Sequence, residues 1–391
     1  MGGLLRLAFR SVSYYRGRSI VISCALALAI ALPISVRLMV VRFQQQITQR
    51  AEQTPLVIGA RGSRFDLALH AMYFQSQPPT FISMADLAEL EDAGAADPIP
   101  LYVAHQAQQK QVVGTGSRYF SFRHLELETG NHWNRLGDCL LGAAVARQLD
   151  LQPGDRLLSD PQDPFNLVGI PPLKMRVSGV LAESHSPDDN VIFVSLETAW
   201  VIEGIGHGHV EEPDGRPAGT GEAVMPFVEI TESNLGQFHF HGSRETFPLS
   251  AILAVTVDQR QATLLEATYL DPESTAQALR PSDVVQELMG MVFRVQHFFQ
   301  MLSVVLIVAT GLLVGLVIAL SLRLRAGEMA TMVKLGCSRH TVFWLQAGEM
   351  IILCMAGLLL AILLVLVAQL LLPQALEQWV VACMFHTIPL C

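Results

Sequence analysis

The chain has 391 residues, 51% of them hydrophobic and 16% charged, with a formal net charge of −9. An acid excess of that kind makes nucleic acid an unsuitable partner. The apolar residues are concentrated at the two ends, which excludes an ordinary soluble chain and indicates membrane spans flanking a water-facing middle.

Residues 1–18 read as a cytoplasmic amphipathic N-terminus, since Arg6, Arg10, Arg16 and Arg18 occur there without an acid among them. Residues 19–42 form the first expected transmembrane helix. This segment is too long for a removable secretory signal and lacks a small-residue cleavage site, so it reads as an uncleaved anchor. Arg37, near its outer end, reads as a side chain snorkelling to the headgroups. Residues 43–294 follow as an outer domain of roughly 250 residues, long enough to bury its own core. Its two ends, 44–53 and the helix expected from Pro281, are amphipathic continuations of spans and read as a stalk.

Within this domain the pattern is mixed α/β. Strands are expected at Leu56–Ala60, 111–115, 175–181, 190–196 and 249–258. Helices are expected at 65–74, at 83–92 with Ser83 as N-cap and Asp86 in the first turn, and at 139–149, which the turn at 152–155 ends. A short helix is expected at 274–279, stopped by Pro281. Six cysteines are present, and none has the spacing of a zinc ribbon or a redox motif. Cys139 is alone in the outer domain, so packing rather than disulfides must hold it together.

Residues 295–324 and 343–372 are the second and third expected transmembrane helices. The tail, 373–391, includes Gln374, Glu377, Gln378 and His386 and is too short and polar for a further crossing. It is expected to be external or interfacial, whereas a fourth helix would return the C-terminus to the inside. The Gly311–Gly315 spacing permits close helix approach, with ordinary glycine usage as the alternative. Glu349 is expected at the interface or paired across helices. Residues 325–342 link the second and third spans, and Lys334 and Arg339 hold this loop on the cytoplasmic side. An enclosed amphipathic helix there needs a partner for its apolar face; the alternative is a helix lying passively on lipid.

The segment LLGAAVARQLDLQPGD, residues 140–155, resembles the signature of the periplasmic core domain of MacB-type permeases. Residues 175–196 continue that resemblance through Gly179-Val180-Leu181 and Asp188-Asp189-Asn190-Val191. Residues 328–343 resemble the FtsX-type permease motif, an acid and an apolar helix followed by Leu-Gly-Cys-Ser-Arg. The resemblance spans nearly the whole chain. It implies an integral membrane α-helical bundle of three or four transmembrane helices with a large mixed α/β extracytoplasmic domain, in the inner membrane of a bacterium. It also implies a non-catalytic permease subunit that passes force across the bilayer from a separate cytoplasmic ABC ATPase, itself a dimer, alongside a second permease copy or a homologous permease. The absence of a G-x-x-x-x-G-K-[ST] loop agrees: ATP acts through the partner. Glu328, Met329, Met332, Val333, Lys334, Leu335 and Arg339 would then form the ATPase-coupling surface.

Histidines carry the remaining chemical signal. His207 and His209 occur in GHGHVEEPDG beside Glu211, His239 and His241 in FHFHG, and His185 follows the core-domain strand. Alternating imidazoles on a strand share one face, and with nearby carboxylates they suit zinc or a similar borderline ion. Solvated loop histidines are the alternative. Some permeases of the resembled type accompany zinc-responsive uptake systems with histidine-rich outer proteins, so metal-linked transport with a periplasmic metal-binding protein is one expectation. Extraction of a lipoprotein or other amphiphile, and signalling to an envelope hydrolase, are the others. An intrinsic enzyme is disfavoured, because Ser63, Ser184 and the scattered histidines show no nucleophile–base arrangement.

Overall fold

The computed structural model describes residues 2–75, 80–161, 170–208, 227–271, 274–324 and 326–385. The chain divides into two compact units, one comprising Met1–Ile47 with Leu288–Cys391 and the other Thr48–Glu287.

The first unit is helical. Helices Gly2–Tyr14, Arg16–Glu52, Pro281–Leu324, Ala326–Lys334 and Arg339–Phe385 supply it, the second and third of these also contributing residues to the other unit. Among the described residues, three stretches are long and apolar enough to cross a membrane: Ser19–Glu52, Gln300–Leu320 and His340–Leu370. At 1.5 Å per residue, a stretch of 21 residues such as Gln300–Leu320 extends about 31 Å, the thickness of a hydrocarbon core. Small residues bring helices Arg16–Glu52 and Arg339–Phe385 together: Ala27, Ala31 and Ala361 form a buried cluster. Glu349 is buried and accepts a hydrogen bond from the Ser11 hydroxyl at 3.3 Å, which settles the expectation in favour of pairing across helices. The last helix runs on to Phe385, into residues expected as a tail. Ala375, Leu376, Glu377 and Gln378 are all good helix formers, and polarity alone does not end a helix.

The second unit is built on a mixed sheet, eleven-stranded among the described residues. Its main path runs Val228–Glu229, Leu173–Leu181, Asp138–Leu141, Ile192–Ser195, Lys110–Thr115, Asp97–Ala107, Ala251–Val255, Leu56–Ala60 and Ala276–Leu279. Leu56–Ala60 is buried along its whole length and paired antiparallel on both sides, which is why it reads as an unbroken apolar run. Helices Arg64–Tyr73 and Met84–Ala93 form where expected. The second opens with a capping box in which the Asp86 carboxylate accepts from the Ser83 backbone N–H at 2.8 Å.

Two expectations are corrected. Residues 139–141 are strand rather than helix. They are fully buried between strands Leu173–Leu181 and Ile192–Ser195, and only after Gly142 does helix Ala143–Leu149 begin. A Cβ on Gly142 would lie 2.4 Å from the Asp188 carbonyl oxygen, so the close approach requires glycine. Residues 276–279 form a strand, not a helix, because pairing with Leu56–Ala60 outweighs the helix propensity of Ala, Gln and Leu. The longest strand, Asp97–Ala107, was hidden by Pro98 and Pro100. Both face Ala251–Val255 on one side, and pairing with Lys110–Thr115 begins only at Leu101, so their missing N–H groups cost no ladder bond.

A buried ion pair ties the last turn of helix Arg16–Glu52 into this unit. Arg50 Nη1 donates to Asp188 Oδ2 at 2.7 Å and Nη2 to Oδ1 at 3.2 Å, while Nε donates to the Met72 carbonyl at 2.5 Å. The Tyr119 hydroxyl donates to Asp188 Oδ1 at 2.6 Å and Ser186 Oγ to Oδ2 at 2.8 Å. Burial disfavours the Asp188 carboxylate, yet the Arg50 charge and the hydrogen bonds from Arg50, Tyr119 and Ser186 outweigh it and hold its pKa below the ordinary 3.8. Burial, then the Asp188 charge, push the Tyr119 phenol well above its ordinary value. Removing one partner leaves the other charge buried and unanswered. Arg50→Met is therefore expected to cost about 3–5 kcal/mol, read as a lowered thermal midpoint of the full chain in detergent. A depressed carboxylate stabilises above its unfolded pKa and ceases to as pH falls through the folded value. The wild type should therefore lose stability more steeply than Asp188→Asn once pH drops below 3.8.

Candidate coupling turn and histidine ribbon

The Leu-Gly-Cys-Ser-Arg run is the junction of two helices. Helix Ala326–Lys334 ends with Gly336 at φ 96°; the Gly336 N–H donates to the Val333 carbonyl at 3.1 Å and the Cys337 N–H to that of Met332 at 3.1 Å. These bonds close the helix in a left-handed cap that favours glycine. Ser338 starts the next helix, its Oγ accepting from the Thr341 N–H at 3.2 Å. Stop and start signals within three residues force a tight turn. Met332, Val333, Lys334 and Leu335 are exposed there, Leu335 at 81%. Met329 is half-buried, and Gln346 Nε2 approaches its Sδ at 3.8 Å. Glu328 lies within the short helix and Arg339 opens the long one. Gly311 and Gly315 lie on helix Pro281–Leu324, and no atom among the described residues comes within 4 Å of a Cβ built at either.

The histidines separate into two groups. His207, His239 and His241 come together on a two-stranded ribbon of Gly206–Gly208 and Phe238–Phe240, with one ring nitrogen of each within 4.8 Å of the others. His185 groups instead with Glu183 and Asp189. Glu183 is an ion-pair partner of Arg147, which holds its carboxyl below the ordinary range by hydrogen bond, and Asp189 Oδ1 accepts from Ser184, so this group is explained as surface structure. His209 and Glu211 lie outside the described residues. Sequence reasoning missed the Arg50–Asp188–Tyr119 network entirely. Its members are separated by 138 and 69 residues, and no local spacing announces them.

Spans with small-residue packing, a capped turn between two of them and a large mixed α/β domain define an integral membrane protein. Comparison with known families agrees. The MacB-like periplasmic core domain matches over residues 19–220 and the FtsX-like permease C-terminal region over residues 300–389. The chain belongs to the family of MacB/FtsX-type permeases, components of ABC transporters that work with a cytoplasmic ATPase. Three solved structures are similar to it at low identity. The extracellular domain of the noncanonic ABC-type transporter YknZ from Gram-positive bacteria is 12% identical, covering 57% of this chain and 98% of its own, at a TM-score of 0.33. The periplasmic region of MacB from Actinobacillus actinomycetemcomitans is 12% identical over 60% of this chain and 92% of its own, at 0.34. A domain of a permease protein from Porphyromonas gingivalis is 9% identical over 57% and 85%, at 0.27. No curated protein matches the chain.

A side chain at Gly336 would be forced into the left-handed region, at a cost of about 1–2 kcal/mol. Gly336→Val should loosen the turn, observed as faster tryptic cleavage after Lys334 in permeabilised membranes.

Proposed function

We propose that this chain is the permease subunit that couples ATP hydrolysis by a separate cytoplasmic ATPase to conformational change in its periplasmic domain. The observation that carries this reading is the exposed apolar group Met332, Val333 and Leu335 on a rigidly capped turn between two membrane-length helices. A nonpolar surface at the membrane's aqueous edge gains free energy when a protein partner covers it. The cap makes that surface a stiff lever, because displacing it must move both flanking helices. Positive charge supports the orientation. Arg6, Arg10 and Arg16 before the first span and Lys334 in the turn favour a cytoplasmic N-terminus and turn, with the α/β unit in the periplasm and the spans in a bacterial inner membrane.

Force transmission without chemistry on the cargo follows from this arrangement, and the chain acts as a non-catalytic subunit. Its second partner is another permease copy or a homologue. The Gly311 and Gly315 positions on the span Gln300–Leu320 support that part, since small residues let two helix backbones approach closely.

Leu335→Asp places a charge in the surface to be covered. The variant should reach the membrane at normal levels and lose at least tenfold of the ATPase that co-purifies with the wild type, about 1.4 kcal/mol of association. Undiminished recovery of an active ATPase with a well-expressed variant would overturn the coupling role.

A further inference from the structure

The ribbon of Gly206–Gly208 and Phe238–Phe240 has two chemically distinct faces. Its antiparallel register sets Gly206 opposite Phe240, His207 opposite His239 and Gly208 opposite Phe238. Each glycine makes room for the ring across from it: a Cβ on Gly206 would lie 2.6 Å from Phe240 Cε1, and one on Gly208 2.7 Å from Phe238 Cε2. Phe240 in turn meets Trp200 and Phe247 of the core, at ring-centroid distances of 6.5 and 6.0 Å. Strand alternation therefore sends the aromatic rings to one face and the imidazoles to the other. The His241 N–H donates to the Ile205 carbonyl at 3.1 Å, which continues the pairing by one residue and puts His241 on the face of His239.

The three rings are packed together, with centroids 4.6 to 5.0 Å apart. His239 Nδ1 is 3.1 Å from the Gln237 carbonyl, and a carbonyl oxygen only accepts, so that nitrogen carries the proton. That tautomer leaves Nε2 of His239 unprotonated, with the proton placed by an outer hydrogen bond as in metal-ligating histidines. Nε2 of His207 and Nε2 of His241 are 3.4 Å apart. Two nitrogens each about 2.0–2.1 Å from a tetrahedral ion stand about 3.3–3.4 Å from one another.

We infer that His207, His239 and His241 form a binding site for one borderline divalent metal ion, with zinc(II) the ion best suited to three neutral imidazoles. A fourth position stays open to water or an added donor. A two-stranded ribbon alone is marginally stable in water. Metal binding there would add its free energy to the ribbon's own folding and hold the two strands in register. This site is independent of the coupling turn, and neither proposal needs the other.

The test uses the full chain in detergent, purified on an affinity tag without histidines and stripped with chelator, then titrated with zinc against a chromophoric competitor. One zinc per chain should bind at micromolar free zinc or below. His207→Ala, His239→Ala and His241→Ala should each weaken it tenfold or more, while His185→Ala leaves it unchanged. Cobalt(II) on the unmutated chain provides a readout that does not depend on any variant folding, because tetrahedral nitrogen coordination gives intense visible bands. No stoichiometric zinc, unchanged affinity in the triple variant, or cobalt spectra of purely octahedral type would each overturn the site.

Discussion

A guanidinium removed from water at Arg50 imposes the strongest local constraint on the α/β unit. Such a charge is tolerable only if it is neutralised and its donors are satisfied. Asp188 provides a bidentate acceptor, the Met72 carbonyl takes Nε, and Tyr119 and Ser186 satisfy the carboxylate oxygens that remain. Four distant pieces of chain are thereby tied to one point: the last turn of a long helix, the end of helix Arg64–Tyr73, helix Arg118–Arg123 and the turn Pro187–Asn190. Gly142 closes the same region by allowing the Asp188 and Asp189 carbonyls to approach the start of helix Ala143–Leu149. Aromatic rings enclose the pair, with Phe74, Tyr119 and Phe193 in mutual contact. Their low-dielectric surroundings strengthen the attraction and raise the cost of breaking it.

The turn at Gly336–Ser338 uses a different kind of rigidity. It is made within a few consecutive residues, by a left-handed glycine cap and a serine N-cap. Nothing distant is needed to shape it, so its apolar residues are free to face outward. The ion pair, by contrast, joins segments far apart in the chain within the α/β unit.

Local pattern revealed the spans, the N-cap at Ser83 and the first-turn proline of helix Pro281–Leu324, because each depends on neighbours in the chain. It failed at residues 139–141 and 276–279, where short apolar or helix-prone runs are strand only through their partners in the sheet. The helix Gln259–Thr268 could have been found. Asp258 caps it by accepting from the Gln261 N–H at 2.7 Å, an acid followed three residues later by glutamine.

The histidines divide along the same line. Alternation in FHFH determined that His239 and His241 would share a strand face, since side chains repeat every two residues. That His207 joins them, and that His185 does not, was decided by the register of a ribbon whose strands lie more than twenty residues apart in the chain. The sequence by itself determined membrane spans around a mixed α/β domain, because hydrophobic length and capping residues act locally. Only the tertiary structure decided which charges and which imidazoles meet, because those pairings depend on close approach between segments that no spacing along the chain encodes.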